Sequence, residues 1–220
     1  MNRVKLLIAS ILILSIGIVS CKKTEKQPKL EKYKGILISV IGKVTVNGKP
    51  AKKYHIINKE DKIATAAKSS FVLKVGEKSV FKVNEKSELV FSIGPNSNNL
   101  KLNKGWMAGV SKSKFTDSGT FYVSTPSVVA GVRGTSMCLK VEDSKNTYFC
   151  VCNGSIWLKG VGSEDEDKVK AKHHTDRRFT IQDDGTVKVT KPDKMLYHTD
   201  KTIEALGKIV GVKIDWTKDH

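Results

Sequence analysis

The sequence predicts an all-β fold, a multi-stranded antiparallel sandwich or solenoid-like domain, with one short C-terminal helix. Two observations carry this prediction. Between residues 36 and 160, short apolar and β-branched runs alternate with turn-forming residues, and turns about every 8–12 residues are typical of sandwiches and barrels. The same region holds no long stretch with the period of an amphipathic helix.

The predicted strands follow one another closely along the chain. Residues 36–41 form a β-branched run, and residues 43–46 alternate before Asn47-Gly48, which is the strongest short signal for a hairpin turn. We expect further strands at 71–75, 80–83, 89–91, 100–110, 120–124, 135–141 and 148–158, and a loop at 94–99 because of its Gly, Pro, Asn and Ser content.

Residues 161–220 are predicted to form a C-terminal extension to the domain at 36–160. An acidic loop is expected at 162–167, and Asp183-Asp184-Gly185 predicts a second hairpin. Residues 200–210 are expected to form the helix, capped by Thr199 or Asp200 and ended by Gly211. A helix this short needs packing against the β domain to be stable.

The N-terminus has the order of an export signal: a basic start, an apolar run at 6–18, and a small residue, Ser20, before Cys21. This arrangement resembles the lipobox of bacterial lipoproteins, in which the cysteine sulfur takes a diacylglycerol and the signal is cut before it. Residues 1–20 are therefore predicted to be a signal peptide, Cys21 the lipidation site and residues 21–35 a flexible, charged tether. The alternative is a plain signal peptide with an incidental cysteine.

The net charge suggests which partners the domain would meet. The chain has 39 Lys and Arg against 22 Asp and Glu, a formal charge of +17, which favours anionic envelope polymers, lipid head groups or another envelope protein. Nucleic acid is not expected, because the location is exported and no zinc-finger, helix-turn-helix or RNP pattern occurs. Lys22-Lys23 lacks the aspartate that retains some lipoproteins in the inner membrane, so the outer membrane is the expected location.

The segment 125–135 resembles the signature of the FecR-type domain. It has Thr125-Pro126, a small apolar run, and then Val132 followed by Arg133, Gly134 and Thr135. Weaker similarities fall in the family's order at 42–48, 63–65, 105 and 153–157, so the resemblance covers about residues 36–160.

That resemblance implies an extracytoplasmic β-rich module for sensing or binding. The best-known members relay the state of an outer-membrane receptor to a cytoplasmic sigma-factor-binding segment. We expect neither a membrane helix nor a cytoplasmic segment here, so what carries over is a module that recognises a protein, a wall polymer or a small ligand.

The residues of the motif also have structural interpretations of their own. Pro126 removes a backbone donor and ends a strand, and Gly134 permits backbone angles that side chains forbid. Arg133 can hold neighbouring carbonyls or a carboxylate with its five donors. We expect this scaffold role for Arg133 in preference to a ligand contact.

Three cysteines follow Cys21, and strand geometry places them on one face. If Val141 lies opposite Thr147 in a hairpin, Cys138 lies opposite Cys150, and Cys152 shares their face. A slip of two residues would place Cys138 opposite Cys152 on the same face, whereas an odd slip would separate the thiols. Three interpretations are open. Cys138 forms a disulfide with Cys150 or Cys152; or zinc or copper(I) is bound by these thiols together with His173 or His174; or the thiols pack as small apolar residues.

No catalytic signature is found. The sequence has no Gly-x-Ser-x-Gly, no His-Glu-x-x-His, no P-loop and no dinucleotide fingerprint, so no enzyme activity, catalytic residue or resident cofactor is expected. The predicted function is a lipid-anchored binding, sensing or scaffold module of the cell envelope. Two alternatives are a metal-binding or redox-active lipoprotein and a structural protein that holds anionic polymers by charge.

Overall fold

The computed structural model describes residues 33–112, 121–192 and 195–218. The predicted signal peptide, Cys21 and nearly all of the predicted tether lie outside the described residues. The elements are β1 (Gly35–Ile41), β2 (Val44–Val46), β3 (Lys49–Pro50), β4 (Ile56–Ile57), β5 (Asp61–Thr65), β6 (Ser70–Val75), β7 (Ser79–Val83), β8 (Glu88–Gly94), β9 (Ser97–Ser111), β10 (Phe121–Ser124), β11 (Val128–Val132), β12 (Ser136–Val141), β13 (Asn146–Gly160), β14 (Glu166–Ala171), β15 (Thr175–Ile181), β16 (Val187–Thr190) and α1 (Asp200–Ile209).

The strands form two sheets, which confirms the predicted all-β class with a C-terminal helix that is the single helix of the described residues. Sheet A has the order β4-β1-β6-β7-β9-β12-β13-β15-β16. Sheet B has the order β3-β2-β5-β8-β9-β10-β11-β13-β14. The strands β14, β15 and β16 of the extension continue the two sheets.

Two long strands belong to both sheets. The first half of β9 pairs in sheet B and its second half in sheet A, whereas β13 runs from sheet A into sheet B. Gly105 lies at the first change of sheet with φ +93°, and Gly154 lies at the second with φ +110°. Glycine is required at such bends because it adopts positive φ without steric cost.

One strand pair departs from the predicted antiparallel pattern. β10 lies parallel to the first half of β9, with Tyr122 opposite Asn99. The second half of β9 belongs to sheet A, so β9 and β10 are not joined by a tight turn within sheet B. β10 enters sheet B running in the same direction as the first half of β9. Parallel neighbours need such a crossover rather than a tight hairpin.

Apolar side chains form two buried clusters. The larger one fills the space between the sheets and includes Phe71, Phe91 and Phe149. The smaller one lies on the outer face of sheet A, where Ile203 and Leu206 of α1 pack over strand residues such as Ala108. α1 contacts β7 and β9, so the packing that this short helix was predicted to need is present.

Several local predictions are confirmed and two are wrong. Asn47 and Gly48 both have positive φ between β2 and β3, as a type I′ turn requires, and the Asp184-Gly185 turn joins β15 to β16. The predicted loop at 94–99 is a two-residue turn at Pro95 and Asn96, since β8 and β9 extend to meet it. The predicted acidic loop at 162–167 ends in β14, whose charged side chains alternate with Val169 and Ala171.

Candidate functional site

The hairpin of β12 and β13 has one of the two even registers that the sequence left open. Val141 lies opposite Thr147, and Cys138 lies opposite Cys150. Because side chains alternate along a strand, Cys138, Cys150 and Cys152 share the outer face of sheet A. All three are fully buried in the smaller apolar cluster.

Two of these thiols lie beside two imidazoles. We call Cys150, Cys152, His174 and His198 the thiol–imidazole cluster. Cys150 Sγ is 3.5 Å from His174 Nδ1, and Cys152 Sγ is 3.2 Å from His198 Nε2. The two sulfurs are 4.0 Å apart and the two nitrogens 3.3 Å apart. One ligand atom from each of the four residues therefore lies within 4.8 Å of the others, a set that could hold a metal ion.

The far nitrogen of each imidazole has its own acceptor. His174 Nε2 is 2.7 Å from Asp200 Oδ1, and His198 Nδ1 is 2.9 Å from the carbonyl oxygen of Leu196. The tautomers that satisfy these contacts have Nε2–H on His174 and Nδ1–H on His198. In the neutral rings the nitrogens that face the thiols then carry lone pairs, and in the protonated rings the same nitrogens carry N–H groups.

The electrostatics of the cluster favour a thiolate at Cys150. A hydrogen bond from the Cys152 thiol, aided by the two imidazoles, lowers the pKa of Cys150 to about 4 in spite of burial. Burial, and then the neighbouring Cys150, raise the pKa of Cys152. Burial alone would lower the pKa of His174, but its bonds with Cys150 and Asp200 raise it overall. The pKa of Cys150 is thus lowered and that of Cys152 raised, which favours the anion at Cys150 when the imidazoles are protonated.

The predicted metal ligands are only partly brought together. His174 joins Cys150 and Cys152, whereas the half-exposed His173 bonds Asp200 Oδ2 at 3.0 Å and is not among the four. Cys138 also stays outside the four, and burial raises the pKa of its thiol. All three cysteines are free thiols in this structure, so none forms the disulfide that the sequence left open.

His198 is the functional residue that the sequence analysis missed. It follows Cys152 by 46 positions, a spacing that matches no local metal-binding pattern. The available signal was its position directly before Thr199, the residue that precedes α1. A helix that packs on the cysteine face brings its N-terminal flank to the thiols.

The FecR-like motif residues lie at the ends of β10 and β11. The Thr125 hydroxyl accepts bonds from the backbone N–H groups of Ser127 and Val128, and the Thr147 hydroxyl donates to it at 3.2 Å. Pro126 occupies the turn that follows. Thr125 therefore joins the turn to β13.

The second half of the motif is hydrogen-bonded to β13 next to the Gly154 bend. Gly134 has φ +67°, and the Thr135 hydroxyl donates to the carbonyl of Ser155 at 2.7 Å. The expected scaffold role of Arg133 is not what the structure shows. Its side chain is exposed and makes no hydrogen bond or ion pair among the described residues.

The outer face of sheet B carries two adjoining grooves. Tyr122, Gly131 and Trp157 lie side by side on β10, β11 and β13. Since Gly131 has no side chain, a groove of about 250 Å³ separates the two aromatic residues, which are 44% and 47% exposed. A larger groove of about 650 Å³ begins on the other side of Tyr122 and reaches Pro126. We call this pair of cavities the aromatic groove.

Comparison with known proteins supports the resemblance read from the sequence. Residues 61–156 match the family described as FecR protein, inside the range of 36–160 that the motifs predicted. A search of curated proteins finds no match.

Similar solved structures include two crystal structures of a "putative anti-sigma factor" from Parabacteroides distasonis. They share 15% and 14% sequence identity with this chain, both at a TM-score of 0.46. The match covers 60% of this chain and 60% of each of theirs.

A search of the described residues for membrane-spanning segments finds no helix with the length and apolar content that a bilayer crossing requires.

Proposed function

We propose that this protein is a lipid-anchored, non-catalytic binding or sensing module of the bacterial cell envelope. The observation that carries the proposal is the FecR match at 61–156, which falls on strands of both sheets of the sandwich. The lipobox-like Cys21 supports attachment to a membrane, and more than one acyl chain makes such anchoring stable.

The binding surface in this proposal is the aromatic groove on sheet B. The opposite outer face of the sandwich is covered by α1, which packs Ile203 and Leu206 against sheet A. On sheet B, by contrast, Tyr122 and Trp157 are almost half exposed. Exposed aromatic residues beside a concave surface are typical of ligand sites.

The chemistry of the groove favours an acidic glycan. Lys168 Nζ lies 5.0 Å from the ring centroid of Trp157, Lys159 lines the smaller cavity and Lys101 lines the larger one. Asn99 adds a buried Oδ1 without a hydrogen-bond partner. Aromatic surfaces bind the apolar faces of sugar rings, while the ammonium groups bind carboxylate or phosphate substituents.

The test measures Trp157 fluorescence while the full chain, purified in detergent, is titrated with lipopolysaccharide and with a neutral glucan. We expect saturable binding of lipopolysaccharide at physiological salt, at least about tenfold weaker in Trp157→Ala and Tyr122→Ala, with binding of the variants followed by sedimentation. Ile41→Ala is the control, since Ile41 is 60% exposed on sheet A. Equal loss in all three variants, or equal binding of the neutral glucan, would contradict the proposal.

Salt dependence separates groove binding from attraction by net charge alone. If binding depended only on the charge of +17, its affinity should fall steeply as the Debye length decreases to about 3 Å near 1 M salt. Binding in the groove should keep a residual affinity there that depends on Trp157. Complete loss at high salt would favour the structural role of a charged coat.

Lipid anchoring is tested on the mature N-terminal peptide. Its mass should correspond to a chain that begins at Cys21 and carries fatty acyl groups, and the protein should fractionate with the outer membrane. Cys21→Ser is the matched control and should be recovered without lipid. An unmodified peptide beginning at Met1 would rule out the anchor.

A further inference from the structure

We propose that Cys150, Cys152, His174 and His198 bind one Zn²⁺, and that this ion fastens residues 195–218 to sheet A. The inference is independent of the aromatic groove, because it rests on the opposite face of the sandwich.

The spacing of the four ligand atoms fits a tetrahedral ion. With Zn–S near 2.3 Å and Zn–N near 2.0–2.1 Å, a regular tetrahedron separates two sulfurs by about 3.8 Å, sulfur from nitrogen by about 3.5 Å and two nitrogens by about 3.3 Å. The corresponding distances in the cluster are 4.0 Å between sulfurs, 3.5 and 3.2 Å from sulfur to nitrogen, and 3.3 Å between nitrogens. The other two sulfur–nitrogen pairs lie within 4.8 Å, so side-chain adjustments alone would complete the site.

The donor set selects the class of metal. Two thiolates and two neutral imidazoles in tetrahedral order suit Zn²⁺ and are poor ligands for Mg²⁺ or Ca²⁺, which prefer oxygen. The protein supplies all four ligands, so no position stays open for water or substrate. Such closed sites stabilise structure and do not catalyse reactions.

The surroundings of the ligands fit the same assignment. Metal-bound histidines usually donate their other N–H to a carboxylate or a backbone carbonyl. His174 has Asp200 as that partner and His198 has the Leu196 carbonyl. Thiols that merely fill apolar space would not require two imidazoles with their lone pairs turned toward them.

The ligands come from separate parts of the chain. Cys150 and Cys152 belong to β13 and His174 precedes β15, whereas His198 belongs to the C-terminal segment just before α1. The Leu196 N–H donates to the Tyr148 hydroxyl at 3.1 Å on the same face. An ion held by all four side chains therefore requires that segment to be docked, so metal binding and docking are thermodynamically coupled.

The Trp216 ring covers the cluster from the end of the described chain. Its centroid lies 5.2 Å from that of His174 and 4.9 Å from that of His173. Its indole N–H donates to Glu204 Oε1 of α1 at 3.0 Å. The helix and the C-terminal residues together close the site against solvent.

The experiment uses the full chain purified in detergent and measures its metal content by elemental analysis. We expect one equivalent of Zn²⁺ per chain, and tetrahedral thiolate-ligated absorption when Co²⁺ replaces it. His198→Ala and Cys152→Ser should weaken zinc affinity, measured against a chromophoric chelator, by at least about tenfold. Absence of Zn²⁺ binding by the wild-type chain would overturn the assignment.

Two matched controls separate ligation from folding. His173→Ala removes the histidine beside His174, and Cys138→Ala removes the buried thiol opposite Cys150; neither residue is among the four. Both variants should keep one equivalent of Zn²⁺. Loss of zinc in either control to the extent seen in His198→Ala would contradict the proposed ligand set.

A measurement on the unmodified chain covers the case in which a variant fails to fold. Hydrogen exchange of the α1 amides is followed with saturating Zn²⁺ and after removal of the ion with a chelator. If metal binding and docking are coupled, the α1 amides should exchange at least about tenfold more slowly in the zinc form. The exchange rates of the amides in the central strands should be almost unchanged. Equal exchange of α1 in both forms would refute the fastening role.

Discussion

Gly105 and Gly154 occupy corresponding positions in the two longest strands. Each lies where its strand leaves one sheet for the other, and their φ angles are +93° and +110°. A Cβ built on Gly105 would lie 2.0 Å from Ser87 Oγ and 2.5 Å from Ser87 Cα. A Cβ on Gly154 would lie 3.0 Å from the carbonyl oxygen of Gly134. The sandwich therefore depends on the absence of a side chain at both bends.

The first prediction concerns Gly105→Ala. We expect it to destabilise the fold by about 3 kcal/mol or more. The alanine would be strained at positive φ, and its Cβ would also overlap the backbone of Ser87. Gly76→Ala is the control, since Gly76 has φ +54° but a Cβ at this position would meet nothing within 4 Å. It should cost about 1 kcal/mol. Urea unfolding measures both, and equal costs would contradict the prediction.

The second prediction concerns the attachment of the C-terminal segment through Tyr148. The buried Tyr148 hydroxyl donates to Asp176 Oδ2 at 3.1 Å and accepts from the Leu196 N–H at 3.1 Å. Tyr148→Phe leaves both partners short of a hydrogen bond and should cost about 1–3 kcal/mol. Tyr197→Phe removes a largely exposed bond to Glu142 and should cost less than about 1 kcal/mol. Denaturation curves that rank them in reverse would refute this.

The third prediction separates the threonines of the FecR-like motif from its arginine. Thr125→Val removes a buried hydroxyl that bonds the turn and Thr147, and should cost about 1–3 kcal/mol. Arg133→Ala removes an exposed side chain without a bond among the described residues and should change stability by less than about 0.5 kcal/mol. Thermal unfolding tests both variants. A large loss in Arg133→Ala would restore the scaffold role expected from the sequence.

The fourth prediction is a pH dependence at the β12–β13 turn. The carboxylate of Asp143 accepts from the Asn146 side chain and the Lys145 N–H, and these bonds lower its pKa. Since the folded pKa lies below the unfolded value of about 3.9, the stabilisation is present above that pH and is lost as pH falls through the folded pKa. Asp143→Ala should thus be less stable than wild type at neutral pH, with a smaller difference in acid. A pH-independent difference would contradict this.

Local rules predicted the parts of the fold that depend on neighbours in sequence. The turn before Asn146 and the alternation of Cys150 and Cys152 predicted a shared face for the three thiols in either even register, and the structure has the register with Cys138 opposite Cys150. Likewise, Asn47-Gly48 identified its turn from two residues. His198 of the thiol–imidazole cluster could not be found in this way, because it reaches the cysteines only through the packing of α1 on sheet A.

The exchange of β9 and β13 between sheets was also beyond the sequence. Residues 147–153 are buried on both faces of sheet A, so the inward and outward alternation that would reveal a change of sheet is hidden. β14 was missed for a related reason. Its only buried side chains are Val169 and Ala171, and the acidic run before them is typical of a loop.

The bend at Gly154 has a mechanical consequence. Cys152 and Trp157 belong to one strand, five positions or about 17 Å apart, yet they face opposite exteriors of the molecule. The Zn²⁺ proposed at the thiol–imidazole cluster and the glycan proposed in the aromatic groove would thus bind to the two ends of one short backbone segment. A displacement produced by binding at either site would therefore reach the other through five residues of continuous backbone, with the Gly154 bend between them.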